Sequence, residues 1–248
     1  MPVEPRIAAA IILLRDHPQG GVETFMVRRH VQSEFVPDVY VFPGGSVKSG
    51  DRELEATPAP ALLPPGVRAA AIREVFEEAG VLLAERDGRL LALAGEQAKR
   101  FSEHRRRLQQ NETTLAAIIQ AEGLSLATDR LRYFAHWITP EAMPRRFDTY
   151  FFVAAAPPEQ QAAHDQLETT AGAWVHPAEA LEQSNHGTFP LVFATIHQLR
   201  DLGAFASVAE AEHRLEQQEV PTIMPRAALR DGEVVIRLPG EPGYDDLM

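Results

Sequence analysis

The sequence predicts an α/β (α+β) fold, in which a central mixed sheet lies between layers of helices. Two observations support this prediction. Runs rich in β-branched and aromatic residues alternate along the chain with longer runs of helical composition and spacing. The 248 residues are 45% hydrophobic, which is enough to build a substantial core. That length allows one large domain or two small ones.

The strands are predicted from composition and from the turns that bound them. Near the N-terminus, the buried run 7–15 and the returning run 22–29 flank a turn at Gly20 and Gly21. Later candidates share a high content of aromatic or β-branched residues, and they are 131–138, 147–156, 173–176 and 233–238.

The helices are predicted from apolar spacing and from their boundary residues. Pro177 suits the first turn of a helix, because proline there loses no intrahelical hydrogen bond. Gly80 suits the C-terminal cap of the helix that precedes it. The other helical segments are expected at 90–110, 113–121, 177–183, 190–202 and 208–217.

Charge and cysteine content exclude several classes of protein. The formal net charge of −11 argues against a protein that coats nucleic acid, which would need a basic surface. The absence of cysteine rules out disulfides and thiolate metal sites. The apolar run 7–14 is too short to span a bilayer. We therefore expect a cytoplasmic protein with no nucleic-acid or membrane partner.

The segment 73–81 (REVFEEAGV) has the clearest functional pattern in the chain. Helical spacing places the carboxylates of Glu74, Glu77 and Glu78 on one face. A helix of this composition is often only a solvated face with internal salt bridges. Alternatively, the three carboxylates are oxygen ligands for a hard divalent cation such as Mg²⁺. The opposite, core-facing side holds Ile72, Val75, Phe76 and Ala79.

A glycine pair lies upstream of this helix. The run 40–45 (YVFPGG) reads as a short strand that enters a tight loop at Gly44 and Gly45. Glycine there lets the backbone approach a ligand closely, although a Gly-Gly pair by itself is usually only a turn. Asp51 follows after five intervening residues.

Taken together, these segments resemble the signature of the Nudix hydrolases, G-x5-E-x7-R-E-U-x-E-E-x-G-U, where U is a bulky apolar residue. The segment 73–81 matches the second half at every specified position. Asp51 stands where the family has glutamate, and 21 residues separate it from Arg73 where the family has seven. The extra residues form a proline-rich insert over about 52–65, which a loop can accommodate at little entropic cost.

An interrupted signature of this kind is similar to that of the peroxisomal-type coenzyme A diphosphatases and their bacterial relatives. The resemblance implies a single Nudix domain over 1–248, folded as an α/β/α sandwich with helical additions at about 90–121 and 190–217. The segments that carry the likeness are 35–37, 40–45, 71–80, 146–152 and 237–240.

The resemblance also implies roles for individual residues. It assigns metal ligation to Glu74, Glu77, Glu78 and the Gly44 carbonyl, with Mg²⁺ or Mn²⁺ as cofactor. Arg73 would orient the carboxylates by charge-assisted hydrogen bonds, or else form an ordinary salt bridge.

A general base is expected among the acidic residues. Glu168 is our choice, because many relatives place an acidic residue shortly before the strand that here contains Trp174. The alternatives are that Glu168 is only a solvated carboxylate, or that Glu78 is the base. Catalytic roles are thus predicted for Arg73, Glu77, Glu78 and Glu168.

Substrate contacts are predicted where the second strand meets the glycine segment. Arginine forks suit phosphate oxygens, and a solvated strand end is the competing interpretation. The predicted contacts are Arg28, Arg29, Tyr40 and Gly45. A basic cluster in 99–107 is either a solvated helix face or a dock for the 3′-phosphate of coenzyme A.

The function expected from the resemblance is metal-dependent hydrolysis of the phosphoanhydride in a small nucleoside diphosphate derivative, with coenzyme A or acyl-coenzyme A favoured. ADP-ribose, dinucleotides and NADH are alternatives within the same reaction class. A Nudix module that senses a nucleotide without cleaving it is the alternative from another class. A homodimer is left open, because nothing in the sequence bears on oligomeric state.

Overall fold

The computed structural model describes residues 3–33, 36–55, 63–165, 168–230 and 232–247. The described strands are β1 (Arg6–Asp16), β2 (Val22–Arg29), β3 (Tyr40–Val41), β4 (Gly44–Ser46), β5 (Ala84–Arg86), β6 (Arg89–Leu90), β7 (Ser125–Leu126), β8 (Arg132–Ile138), β9 (Phe147–Ala155), β10 (Thr169–Val175), β11 (Thr222–Ile223), β12 (Arg226–Arg230) and β13 (Glu233–Arg237). The described helices are α1 (Ser49–Leu54), α2 (Val67–Ala79), α3 (Gly95–Gln109), α4 (Leu115–Glu122), α5 (Pro177–Asn185), α6 (Phe193–Leu202) and α7 (Val208–Leu215).

The main sheet is mixed, as the sequence predicts. Its strands follow the order β10-β2-β1-β9-β8-β11, with β3 beside β2 and β4 beside β1. The pairs β1/β9 and β8/β11 are parallel, whereas the other neighbours in this sheet are antiparallel. Smaller sheets pair β12 with β13 and place β5 between β6 and β7.

Helices cover both faces of the main sheet. Ile11 and Leu13 of β1 pack into a core with α2, α3 and α4, while Ile12 and Leu14 pack into a second core with α5, α6 and α7. Because side chains alternate along a strand, a strand buried on both faces reads as the continuous apolar run seen at the start of the chain. The predicted α/β/α sandwich with additional helices is confirmed.

Helix α2 lies at the centre of the first core and carries the predicted site. It begins after Gly66 and ends at Gly80, and both glycines have the left-handed backbone conformation. Glu55 fixes the N-terminal end of α2, because its carboxylate pairs with Arg68 and accepts a hydrogen bond from the Gly66 N–H at 2.7 Å. These contacts join the two ends of the expected insert.

Several predicted boundaries are wrong. Leu90 pairs with Glu85 in the β5/β6 hairpin, so the helix expected from residue 90 begins at Gly95. Residues 52–54 of the expected insert belong to α1. Residues 56–62 of the insert lie outside the described residues, and so does Phe35 of the segment 35–37. The sequence also did not predict β12, the partner of the last predicted strand.

The glycine pair is in a strand rather than in a turn. Gly44 and Gly45 belong to β4 and pair with Ala10 and Ala9 of β1. A Cβ on Gly44 would lie 2.8 Å from the carbonyl oxygen of Ala9, closer than real Cβ atoms approach. Glycine is therefore required by the close approach of the two strands. No helix in the described part of the chain is long and apolar enough to cross a membrane.

Candidate active site

A buried ion pair joins α1 to α2. The guanidinium of Arg73 donates to both oxygens of Asp51, from Nε at 2.9 Å and from Nη2 at 3.0 Å. Arg73 and Asp51 are only 3% and 2% exposed. Asp51 also accepts the backbone N–H of Lys48 at 2.7 Å, so its carboxylate is held from both sides. Asp51 thus reaches Arg73 despite the intervening insert.

The rest of the Arg73 fork reaches the acidic face of α2 and the strand β4. Its Nη1 donates to Glu74 at 2.6 Å and to Glu77 at 2.9 Å, and its Nη2 donates to the carbonyl of Ser46 at 2.9 Å. Charge-assisted bonds of this kind are short and strongly directional. One guanidinium therefore fixes two of the predicted metal ligands relative to the glycine strand.

The glycine strand contacts the other carboxylates directly. The backbone N–H of Gly44 donates to Oε2 of Glu78 at 3.0 Å. A Cβ on Gly45 would lie 2.5 Å from Oε1 of Glu74, so the Glu74 carboxylate lies against the bare backbone of β4. The absence of a side chain at Gly45 thus makes room for the Glu74 carboxylate. From the sequence, glycine was expected only to let the backbone approach a ligand.

The environment disfavours the charged form of the three glutamates. Burial raises the pKa of Glu74 to about 7, against the lowering effect of Arg73. Burial also raises the pKa of Glu77. For Glu78, burial and then the negative charge of Glu74 raise the pKa well above its ordinary value. Burial is thus the main cause for all three carboxyl groups, and a bound cation would favour the charged forms that burial disfavours.

The donor set suits a hard divalent cation, although the described residues do not converge into a preformed cage. No group of three or more His, Asp or Glu side chains within those residues is arranged to hold a metal. The carboxylates of Glu74 and Glu77 accept hydrogen bonds from Arg73, and the carboxylate of Glu78 accepts one from the Gly44 N–H. Carboxylate oxygens are nevertheless the ligands that Mg²⁺ and Mn²⁺ prefer.

Glu168 lies directly before β10, close to the acidic face of α2. Its backbone carbonyl accepts the N–H of His30 at 3.0 Å, which ties it to the end of β2. The charge of Glu168 raises the pKa of both Glu77 and Glu78, although burial is the larger cause for each. The Glu168 side chain itself is exposed. The structure therefore places it at the solvent side of the acidic cluster.

The predicted substrate contacts separate between the two faces of the sheet. Arg29 lies on the α2 face, where its positive charge lowers the pKa of Glu78 and its buried Nε has no hydrogen-bond partner. Arg28 lies on the other face, paired with Asp38 and positioned over the ring of Tyr40. Tyr40 stacks on Phe189 with the ring centroids 3.7 Å apart. Only Arg29 of these three is beside the carboxylates.

The basic cluster of α3 is distributed among structural contacts. Lys99 pairs with Glu96, Arg100 with Glu122, and Arg106 with Glu103. Arg105 instead turns inward and donates to the carbonyls of Glu77 and Ala163. The pairing of Lys99, Arg100 and Arg106 favours a solvated helix face over a phosphate dock.

Sequence reasoning missed the structural roles of four residues that hold this region together, namely Lys48, Arg105, Gln109 and Asp165. Lys48 lies 3.7 Å from Glu77. Asp165 lies three residues before Glu168, and nothing in the sequence distinguished the roles of these two carboxylates. The other three lie on elements whose packing no local pattern reveals.

The class of protein follows from the fold around this site. The chain superposes on the crystal structure of a NUDIX hydrolase from Alicyclobacillus acidocaldarius with a TM-score of 0.73 and 27% identity. The match covers 85% of this chain and 96% of that one. This architecture, with the acidic helix against the glycine strand, defines a Nudix hydrolase.

The particular family comes from the sequence itself. A profile described as the NUDT19 Nudix domain matches residues 56–202, more than half of the chain. The chain belongs to this family and is a Nudix diphosphohydrolase, as the resemblance predicted.

Curated relatives are similar over much of the chain. The acyl-coenzyme A diphosphatase NUDT19 of Xenopus laevis is 24% identical, over 90% of this chain and 72% of that protein. The protein of the same name from Gallus gallus is 29% identical, over 75% of this chain and 62% of that protein. Putative nudix hydrolase 7 of Caenorhabditis elegans is 27% identical, over 79% and 60%. The chain thus spans less than two thirds of the chicken and worm proteins.

Proposed function

We propose that this protein is a divalent-metal-dependent diphosphohydrolase that cleaves coenzyme A or acyl-coenzyme A. The observation that carries the proposal is the gathering of Glu74, Glu77 and Glu78 around Arg73 and the strand β4. A diphosphate repels an incoming nucleophile, and these residues provide oxygen ligands for the cation that would offset that charge.

Each residue of the site has a distinct task in this proposal. Glu74, Glu77 and Glu78, with the Gly44 carbonyl, would hold Mg²⁺ or Mn²⁺. The bound metal would neutralise phosphate charge and lower the pKa of an attacking water. Arg73 fixes the orientation of Glu74 and Glu77, and Asp51 fixes Arg73 in turn.

We assign the general base to Glu168 rather than to Glu78. A general base must reach the water whose proton it accepts. Glu168 is exposed at the edge of the acidic cluster, whereas Glu78 is buried and already accepts a hydrogen bond from Gly44. Glu168→Gln should therefore lower kcat with little effect on KM.

Arg29 is the substrate contact that the geometry supports best. Its positive charge acts on Glu78, whereas Arg28 lies on the opposite face of the sheet and is paired with Asp38. A guanidinium beside the acidic face can bind a phosphate oxygen of the substrate. The preference for coenzyme A comes from the curated relatives named acyl-coenzyme A diphosphatase. Cleavage of its diphosphate would release 3′,5′-ADP and a phosphopantetheine.

A panel assay tests the proposal. The protein would be incubated with Mg²⁺ or Mn²⁺ and, separately, with coenzyme A, acyl-coenzyme A, ADP-ribose, NADH and a diadenosine polyphosphate, and the products would be identified. We expect 3′,5′-ADP from the coenzyme A compounds. Turnover of ADP-ribose or NADH alone would overturn the substrate but keep the reaction class. Ligand binding without turnover of any compound would support the sensing module instead.

The site assignment is tested with variants in the same assay. Glu77→Gln and Glu78→Gln should each lower kcat by about 100-fold or more, because removing a ligand weakens charge neutralisation in the transition state. Glu53→Gln is the matched control, since Glu53 is an exposed glutamate of the neighbouring helix α1. Full activity in Glu77→Gln and Glu78→Gln would refute the metal site. A cytoplasmic location and a homodimer remain predictions.

A further inference from the structure

Helix α3 is bonded to the last turn of α2. Arg105 donates from Nε to the carbonyl of Glu77 at 3.0 Å and from Nη2 to the carbonyl of Ala163 at 2.9 Å. Gln109, one helical turn further along, donates from Nε2 to the same Glu77 carbonyl at 2.6 Å. The final carbonyls of a helix have no intrahelical partner, and cationic donors near that end stabilise them.

The segment that precedes β10 is attached to the same point. The N–H of Ala163 donates to the carbonyl of Ala79 at 2.9 Å, so this segment follows the end of α2. Arg105 therefore bridges two chain segments that both border the acidic cluster. One carries Glu77 and Glu78, and the other leads to Glu168.

Asp165 organises the start of β10. Its carboxylate accepts the backbone N–H of Glu168 at 3.1 Å and that of Thr169 at 2.9 Å, and also the Thr169 hydroxyl at 2.6 Å. Nε2 of Gln109 lies 3.5 Å from Oδ2 of the same carboxylate. A carboxylate that accepts several N–H groups makes strong, directional bonds. Asp165 thus fixes the backbone of Glu168 relative to α3.

The charges reinforce this arrangement. Burial lowers the pKa of Arg105, but Asp165 and Glu78 are the nearby carboxylates that favour its charged form. A Cβ on Gly80 would lie 2.8 Å from Nη1 of Arg105, so the guanidinium rests against the bare backbone at the end of α2. The contact therefore depends on the absence of a side chain at Gly80, the glycine that caps the C-terminus of α2.

We propose that Arg105, Gln109 and Asp165 form a bracket that sets the position of Glu168 relative to Glu77 and Glu78. They would act as positioning residues, since their contacts are made with other protein groups. The proposal rests on the proposed function, in which Glu168 is the general base. A displacement of about 1 Å at a reacting group can cost about 100-fold in rate, so loosening the bracket should affect kcat more than KM.

A double-mutant cycle in kcat tests this proposal, with the compound that the wild type hydrolyses fastest as substrate. Asp165→Ala should lower kcat by about 10- to 100-fold with KM changed less than about threefold. In a Glu168→Gln background the same substitution should lower kcat less than about threefold, because residues that act as a unit are not additive. Equal losses in both backgrounds would overturn the bracket and assign Asp165 a merely structural role.

Conservative and control variants sharpen the cycle. Arg105→Lys keeps the charge but cannot reach both carbonyls with a planar fork, so we expect an intermediate loss between wild type and Arg105→Gln. Arg106→Gln is the matched control on α3, because Arg106 is exposed and pairs with Glu103. Glu159→Gln is the matched exposed carboxylate before β10. Both controls should keep kcat within about twofold.

Hydrogen exchange provides a readout that does not depend on activity. Asp165→Ala should speed exchange at the amides of Glu168 and Thr169, since both lose their acceptor. Arg105→Gln should speed exchange both there and at Gly80. Unchanged exchange at Glu168 in both variants would overturn the bracket even if every variant lost activity.

The two measurements separate failure of this inference from failure of the proposed function. A wild type that hydrolyses no compound would refute the proposed function. Hydrogen exchange would still show whether Arg105 and Asp165 fix the backbone of Glu168. Wild-type kcat in Glu168→Gln would refute Glu168 as the base, and with it the catalytic role of the bracket.

Discussion

Asp51 contacts Arg73 although it differs from the signature glutamate in both residue type and spacing. It is one methylene shorter than the glutamate of the Nudix signature, and 21 residues separate it from Arg73. Helix α1 returns the chain to α2, where Asp51 accepts two hydrogen bonds from Arg73. The long insert therefore changes the path of the chain without separating the pair.

The burial of this pair makes a testable prediction about stability. Asp51→Asn should lower the free energy of unfolding by about 3 kcal/mol, because Arg73 would keep a buried charge with fewer acceptors. Urea denaturation followed by circular dichroism measures this change. Asp38→Asn is the control, since its pair with Arg28 is about half exposed, and it should cost less than about 1 kcal/mol. Equal effects of the two substitutions would contradict the prediction.

Gly45 makes a second prediction at the residue scale. Gly45→Ala places a Cβ 2.5 Å from Glu74, so this carboxylate must move away from β4. We expect kcat to fall by at least about tenfold, because a ligand would be displaced by about an ångström. Gly50→Ala is the control, because Gly50 lies in α1 with open space around its Cβ position. It should keep full activity and gain about 0.5–1 kcal/mol of stability. Equal activity in both variants would be inconsistent with the predicted contact.

At the scale of secondary-structure elements, α2 combines two roles that its sequence shows separately. Its apolar side belongs to the core with α3 and α4. The carboxylates of its acidic face accept hydrogen bonds from Gly44 of β4 and from Arg73 of α2 itself. The helix itself could be predicted because three carboxylates, an apolar stripe and a capping glycine share one period. The contact between the last turn of α2 and Arg105 could not be predicted, because no local pattern specifies which side of α3 packs against α2.

Metal binding to α2 is expected to stabilise the fold without any substrate. Mn²⁺ at about 100 times its Kd should add about 2.7 kcal/mol by mass action. For a chain of this size that is a rise in Tm of about 5–10 °C. Thermal unfolding with Mn²⁺ and with EDTA measures the shift, which should be much smaller in Glu74→Gln and unchanged in Glu53→Gln. An equal shift in Glu74→Gln would place the metal elsewhere.

At the scale of the whole molecule, β1 joins the two cores, because its alternate residues enter both. We therefore expect one cooperative unfolding transition, as the predicted single domain requires. The two tryptophans report on opposite faces of the sheet, since Trp137 is in the core with α5, α6 and α7 and Trp174 packs against the core with α2.

The tryptophans turn this expectation into a measurement. Fluorescence of Trp137 in a Trp174→Phe variant, and of Trp174 in a Trp137→Phe variant, should each give a urea midpoint that coincides with circular dichroism of the same variant. Separate midpoints for the two probes in one variant would reveal two independently unfolding units.

The sequence by itself determined the family, the strands β1, β2, β8 and β9 and the acidic face of α2. These follow from local periodicity and from a motif whose spacing within 73–81 is intact. Tertiary structure alone decided that Gly44 and Gly45 form a strand and that Arg29, rather than Arg28, lies on the side of the sheet that faces α2 and Glu78. It also decided that Asp165 and Arg105 join α3 to the site. These features depend on contacts between residues far apart in the chain, whose register and burial are set only when the layers pack together.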